Sequence, residues 1–259
     1  MNIDFPKISF ITACKGRLHH LSETLPKNIF WNIDYPNLEF VLLDYNSPDG
    51  LDLWIMRHMT NMIEKGILVY FKNMDPDYFH YTHSRNMLIK LATGDIVCNL
   101  DADNYSGEDF AFYIADRIKK VDFLIASLYH NDNVTYNPLA AESFGRIAIK
   151  KEAILHAGGY FEKLEHWGSE DMDLYIRLKE LGFCSETLPS KFLRSISHSD
   201  NERGAFSKII KVGQNTKSHQ QNIVTSQMNI NNGNLIVNNG CFGQGIVYKN
   251  FSKNPIEVF

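Results

Sequence analysis

Four short apolar runs, each followed by a segment of helical periodicity, limit what this chain can fold into. The runs span residues 7–13, 38–43, 67–71 and 95–100. Each is long enough for a strand and too short for a buried helix. Between them Leu18, Leu21, Leu25 and Ile29 recur at helical spacing, as do Leu53, Met56 and Met59. Pro26 is expected to break the first of these helices. Ser84 is placed to cap a third, with an apolar face of Met87, Leu88, Leu91 and Ala92 and Gly94 at its end. Strands alternating with helices through residue 104 predict an α/β fold with an open, mostly parallel central sheet flanked by helices. Ligands of such sheets bind beyond the carboxyl ends of the strands. Three polar segments fall there: Thr12 to Arg17, Asp44 to Asp49, and Asp101 to Asn104.

The second half reads differently. Phe110, Ile114 and Ile118 suggest a helix, 123–128 a strand, and Gly158-Gly159-Tyr160 a loop. Ser169 is a candidate cap for a helix with Leu174, Leu178 and Leu181 on its apolar face. After Gly204 the chain turns polar and rich in Gly and Asn, and 234–237 with 245–248 read as strands of a tail hairpin. The expected organisation is one main domain over 1–205, in two halves at 1–104 and 105–205. A basic flap and C-terminal tail occupy 206–259.

With 259 residues, 44% hydrophobic and 22% charged, the chain has the material for its own core and no need of disulfides. Cys14, Cys98, Cys184 and Cys241 lie far apart and form no CxxC pair, so buried free thiols are expected rather than a zinc or redox site. A net charge of −4 argues against a nucleic-acid partner. No stretch reaches the roughly 18 apolar residues of a membrane span, and the N-terminus lacks a signal-peptide pattern. These features predict a cytoplasmic protein and permit peripheral association with the inner face of the membrane. Arg203, Lys208, Lys211, Lys217, Lys249 and Lys253 fall in a stretch without acids, which reads either as a solvated tail or as a basic flap over an anion site. In the second reading the segment from Asp200 to Lys217 is mobile until a diphosphate binds.

Two constellations carry chemistry. Asp101-Ala102-Asp103 directly follows a buried strand, and side chains two apart on an extended chain point the same way. Carboxylates so placed can hold a hard divalent cation and, through it, a diphosphate. Of the other Asp-x-Asp triplets, Asp75-Pro76-Asp77 reads as a turn. The third lies in Trp167-Gly168-Ser169-Glu170-Asp171-Met172-Asp173, where acids in a first helical turn also complement the helix dipole. Trp167 and Gly168 just before them supply a flat wall and a close backbone approach, a way of holding sugar rings. Adjacent helical residues project about 100° apart, so Glu170 and Asp171 can serve different partners. His166, next to Trp167, is the remaining candidate to touch a sugar.

On these motifs the chain resembles metal-dependent GT-A glycosyltransferases. It has features of the broad family 2 and a second half similar to the β-1,4-galactosyltransferase and polypeptide N-acetylgalactosaminyltransferase group. The resemblance covers about residues 7–205 and implies that 1–205 is a catalytic domain, with 1–104 its nucleotide-binding half and 105–205 its acceptor and catalytic half. It implies that Asp44, Asn46 and Ser47 stand in the donor-reading turn, where the second acid is replaced by Tyr45, a ring able to stack. It likewise implies that Arg85 stands in the Arg-Asn pair at a helix start, Gly159 in the Gly-Gly-aromatic loop, and Asp101 and Asp103 in the metal motif. Trp167, Gly168, Glu170 and Asp171 match the acceptor and catalytic motif, and His198 stands where these families complete the metal site. Thr12, Lys15, Arg17, Arg85, Asp101 and Arg203 are the further nucleotide-binding candidates.

The resemblance implies transfer of galactose, GalNAc or GlcNAc from a UDP-sugar donor to a glycan or lipid-linked glycan. Mn²⁺ (or Mg²⁺) is the expected cofactor, Asp171 the base, and inversion the outcome, although retaining relatives share much of the motif. Two other classes compete. A sugar-nucleotide pyrophosphorylase would want a Gly-rich basic loop after the first strand, where this chain has only Lys15-Gly16-Arg17. A non-enzymatic carbohydrate-binding module would not need metal acids and a base together.

Overall fold

The computed structural model describes residues 5–129, 135–208 and 214–259. The first half runs β1 (Ile8–Cys14), α1 (Leu18–Asn32), β2 (Leu38–Tyr45), α2 (Leu51–His58), α3 (Thr60–Glu64), β3 (Leu68–Asn73), α4 (Tyr81–Leu91) and β4 (Ile96–Asn99). It continues through β5 (Asn104–Tyr105), α5 (Phe110–Arg117), β6 (Phe123–Ile125), α6 (Pro138–Glu142), β7 (Ile147–Lys150) and α7 (Lys151–His156). The remainder comprises α8 (Glu170–Glu180), β8 (Ser185–Thr187), β9 (Arg194–Ser195), α9 (Asp200–Gly204), α10 (Gln214–Asn231), β10 (Gly245–Lys249) and β11 (Pro255–Val258).

Nine strands form one sheet in the order β11-β10-β3-β2-β1-β4-β7-β6-β8. The four at its centre, β3-β2-β1-β4, are parallel, as the alternation predicts. Antiparallel pairs extend it on both sides, β7 against β4 and β10 against β3. Even-numbered residues of the central strands (Ile8, Phe10, Phe40, Leu42, Leu68, Tyr70, Ile96, Cys98) pack into one core, while Val41, Leu43, Phe71 and Val97 pack into a second on the other face. Burial on both faces is why these strands read as continuous apolar runs rather than alternating ones.

Several local readings change. Helix α1 continues through Pro26, which lies on the exposed side where the carbonyl left without an amide donor can be hydrated. The buried face of α2 is Leu51 and Ile55, continued by Met59, while Leu53 and Met56 are exposed on the opposite side. His80 rather than Ser84 caps α4, its Nδ1 accepting from the His83 amide at 3.4 Å. Cys14 and Cys98 are buried thiols, but Cys184 and Cys241 sit in surface loops and are exposed. Residues 234–237 form no strand: Val237 packs on Phe161 and Leu164, and β10 pairs instead with β11. That hairpin continues the central sheet from β3.

Two devices bring distant segments to the carboxyl end of the sheet. The β5–β9 pair, followed by the Ile196 amide donating to the Asp103 carbonyl at 2.8 Å, carries the chain after β9 back to the turn after β4. Arg177, fully buried in α8, donates to Asp173 Oδ2 (2.8 Å) and to the carbonyls of Ala157 (2.9 Å), Gly159 (2.9 Å) and Leu235 (3.3 Å). Ser226 of α10 completes the Asp173 carboxylate at 2.7 Å. Removing one member of a buried pair leaves the other charge uncompensated. Arg177→Ala is therefore expected to destabilise the fold by about 3–5 kcal/mol, measured by urea unfolding.

Candidate active site

A cavity of about 490 Å³ opens beyond the carboxyl ends of β1 and β4. The loops that form its floor are tied to one another. Thr12 Oγ1 donates to the Leu100 carbonyl (2.7 Å), and the Gly16 amide donates to Ser47 Oγ (2.7 Å). Lys15 Nζ donates to the carbonyls of Tyr45 (3.2 Å), Asn46 (2.7 Å) and Pro76 (2.9 Å). Burial lowers the pKa of Lys15, and its ammonium is committed to these carbonyls.

Asp44 is fully buried and accepts from the Ser47 amide and the Tyr70 hydroxyl, both at 2.7 Å. Burial pushes its carboxyl up, against these bonds. Thr12, Asp44, Asn46 and Ser47 thus shape the floor and do not line the cavity, whereas Lys15 and Arg17 do. Gly159 and His166 also lie outside it. Gly159 serves the fold through its carbonyl on Arg177, and His166 sits 3.8 Å from Glu165.

Arg85, buried in α4, joins both acidic constellations. Its Nη1 donates to Asp171 Oδ1 at 2.8 Å and to Glu170 Oε1 at 3.4 Å, and its Nη2 to Asp101 Oδ1 at 3.1 Å. Tyr160 lies under the guanidinium, 5.4 Å from it. Asn86, next in α4, fixes the Tyr160 backbone from both sides, accepting from its amide and donating to its carbonyl at 2.8 Å each. Burial works against the Arg85 charge, but Asp171, Asp101 and Glu170 outweigh it and raise its pKa. One cation cannot offset three acids. Burial first, then repulsion from Glu170 and Asp101, leaves the Asp171 carboxyl raised to about 7 despite Arg85.

Asp103 faces the opposite way. Its Oδ2 lies 2.8 Å from His198 Nε2, and Asn104 donates to its Oδ1 at 3.0 Å. Burial alone would raise its carboxyl, but the hydrogen bond and charge of His198 outweigh it and lower the pKa. Adjacent ligands of an octahedral ion at about 2.1 Å lie about 3.0 Å apart, so this oxygen and nitrogen are close to the spacing of two neighbouring positions of a divalent cation. Asp101 does not join them, because it is turned to Arg85 and Asn99. Among the described residues, three candidate ligand atoms within 4.8 Å of one another come together at His19, His20 and Glu202. Arg17 already places a cation there, 3.3 Å from His20 Nδ1 and 3.9 Å from Glu202, and the group acts as a latch from α1 to α9.

The segment after His198 closes over the cavity. A capping box between Ser199 and Glu202 starts α9. Arg203 lies over the Trp167 ring at 5.2 Å, covering a face expected to meet a sugar. Phe206 packs on Gly16 so closely that a Cβ there would lie 1.8 Å from its ring. Lys208 stands over Tyr78 at 5.3 Å, and Lys211 lies outside the described residues.

Helix α10 closes the other side. Its buried stripe is polar: Ser218 donates to the Trp167 carbonyl (2.9 Å), and Asn222 to the carbonyls of Gly168 (2.8 Å) and Glu165 (2.9 Å). Gly168 at φ 106° lets the turn pass under His219, where a Cβ would lie 2.5 Å from the imidazole. Ser169, at the N-cap position, makes no capping bond and meets His219 Nδ1 at 2.9 Å instead. His20, Phe206 and His219, all lining the cavity, were not among the expected site residues. For His219 the readable signal is the spacing of Ser218, Asn222 and Ser226.

Residues 128–199 match the family model described as the N-terminal domain of galactosyltransferase. The mannosyltransferase PcManGT from Pyrobaculum calidifontis, solved with GDP-Man and Mn²⁺, superposes with a TM-score of 0.59 at 22% identity, over 73% of this chain and 56% of its own. GalNAc-T7 with UDP, GalNAc and Mn²⁺ gives 0.58 at 16% identity, over 73% and 43%. The fold is GT-A. TarS 1–349 from S. aureus in complex with UDP agrees, with a TM-score of 0.57 at 15% identity over 84% of this chain and 70% of its own. The matched segment and the GT-A fold are those of glycosyltransferase enzymes. This chain spans only 56% and 43% of the mannosyltransferase and GalNAc-T7, and no curated protein matches it. Among the described residues no helix is long and apolar enough to cross a membrane.

Within this GT-A site, Arg85→Gln removes the one cation shared by three acids. The Asp171 carboxyl should then titrate above its wild-type value, because a charge that favours the carboxylate is gone. A ¹³C carboxyl titration by NMR reads the shift, and a downward movement contradicts the shared-cation arrangement.

Proposed function

We propose that the chain transfers a hexose (galactose, GalNAc or GlcNAc) from a UDP-sugar to an acceptor hydroxyl with inversion, and that Asp171 is the base. The observation that carries this reading is the opposition of two acidic groups in one cavity. Asp103 with His198 forms one side and Asp171 with Glu170 the other, and Arg85 sets the second pair. Asp103 and His198 would hold Mn²⁺ or Mg²⁺, which when bound offsets negative charge on the leaving diphosphate. Arg17, Arg203 and His20 line the same cavity and provide cationic and hydrogen-bonding contacts to that diphosphate.

Asp171 takes the proton of the acceptor hydroxyl as it attacks the anomeric carbon. A carboxyl poised near neutral pH suits that role, since it is ionised enough to accept and basic enough to hold the proton. Glu170 is positioned by Arg85 and by the Gly168 amide, which donates to its Oε2 at 3.0 Å, and its role is to bind substrate hydroxyls. Phe206 on Gly16 and Arg203 on Trp167 keep water out of the donor side. A glycan or lipid-linked glycan is the acceptor under this reading, met at the inner face of the membrane.

Asp103→Ala should abolish Mn²⁺-dependent UDP binding in calorimetry and leave the thermal midpoint nearly unchanged. Retention of the same metal dependence would put the metal elsewhere.

Asp171→Asn should lower transfer by about 10²–10⁴-fold with UDP affinity kept. Glu170→Gln should act mainly on substrate affinity. In the wild type kcat/KM should climb about tenfold per pH unit below pH 7 and level off above it, because the raised pKa leaves Asp171 protonated in acid. A profile flat from pH 5 to 8 speaks against Asp171 as the base.

A further inference from the structure

His219 is the imidazole in the cavity that the proposed transfer leaves without a role. It lines the cavity together with Trp167, Glu170 and Asp171, and its ring lies 5.7 Å from the Trp167 ring, tilted by 38°. The Ser169 hydroxyl holds Nδ1 at 2.9 Å, and the absence of a side chain at Gly168 gives the ring its seat. Ser218 and Asn222, flanking His219 on α10, bond the carbonyls of the same turn, so backbone as well as ring is fixed. With Nδ1 engaged, Nε2 is the remaining polar atom of the ring, and it has no hydrogen-bond partner among the described residues. A half-buried imidazole that lines the same cavity as Asp171, with one ring nitrogen uncommitted among the described residues, is suited to a substrate group.

We propose that His219 is an acceptor-positioning residue. While Asp171 accepts the proton of the attacking hydroxyl, His219 Nε2 hydrogen-bonds the hydroxyl on the neighbouring carbon of the acceptor. The site therefore takes an acceptor with vicinal hydroxyls, a sugar ring, rather than the isolated hydroxyl of a peptide serine or threonine. The apolar side chains of Met172 and Ile223 line the same cavity and offer a surface to the carbon face of such a ring. This inference rests on Asp171 as the base and adds the requirement for a vicinal hydroxyl and the residue that reads it.

The test uses p-nitrophenyl β-hexosides and a serine/threonine peptide as acceptors, with Mn²⁺-dependent UDP binding as the control for an intact donor side. His219→Ala is expected to raise the hexoside KM about tenfold, with a smaller change in kcat and UDP affinity unchanged. His219→Gln, which restores a polar atom near the Nε2 position, should recover part of the loss. A deoxy-hexoside lacking the neighbouring hydroxyl should lose affinity with the wild type and little more with His219→Ala. The His219 ring resonance in the wild type should shift when hexoside is added without donor. An unchanged hexoside KM in His219→Ala, equal losses in the Ala and Gln variants, or a peptide acceptor preferred over every hexoside would overturn the proposal. A wild type with no metal-dependent UDP binding would overturn the glycosyltransferase reading itself, and that outcome is distinct from the others.

Discussion

The site depends on one buried guanidinium. Arg85 holds Asp101, Glu170 and Asp171 within hydrogen-bond reach from a helix that packs on the central sheet. Three carboxylates so close together repel one another. With Arg85 present the cluster is charged but not fully neutralised. The imbalance falls on Asp171, whose carboxyl is raised to about 7. Lysine could not replace this arginine, because the two ends of its planar fork reach acids from opposite sides, Asp101 at one and Glu170 with Asp171 at the other. The Tyr160 ring, whose backbone Asn86 fixes, lies beneath the fork.

Asp101 and Asp103, two residues apart, take different roles because their surroundings differ. Asp101 turns to Arg85, whereas Asp103 turns to His198, which the β5–β9 pair brings back to it. The side of the cavity with Asp103 and His198 and the side with Arg85 and Asp171 are therefore separate electrostatic environments. They are joined through the short turn after β4.

The last quarter of the chain completes this arrangement. Helix α10 docks through serines and asparagines because its partner surface is made of backbone carbonyls, the Asp173 carboxylate and the sharp turn at Gly168. Such a surface needs donors more than apolar bulk. Residues 199–208 are latched by Glu202 to Arg17 and His19, and by Phe206 to Gly16. These contacts tie the C-terminal region to the first loop of the sheet.

Much of this was legible in the chain alone. The parallel core followed from apolar runs at strand length, and the acidic motifs at 101–103 and 167–171 were visible because one directly follows an apolar strand and the other follows Trp167-Gly168 at a helix start. The Asp103–His198 pairing was expected from a family resemblance, and the two side chains do meet. What the sequence could not show is partnership. Asp44, read as a donor contact, is sealed beneath Tyr70, and Lys15 is spent on three carbonyls. Leu53 and Met56 are apolar enough for the core, yet the phase set by Leu51 and Ile55 turns them outward. Helix α10, polar on its buried stripe, carries no hydrophobic period from which it could be read. Local sequence determined which residues carry charge and which strands form. Only the tertiary structure decided which of those charges share a cation, because pairing between residues 85, 101 and 171 is a property of the packed sheet and not of any one segment.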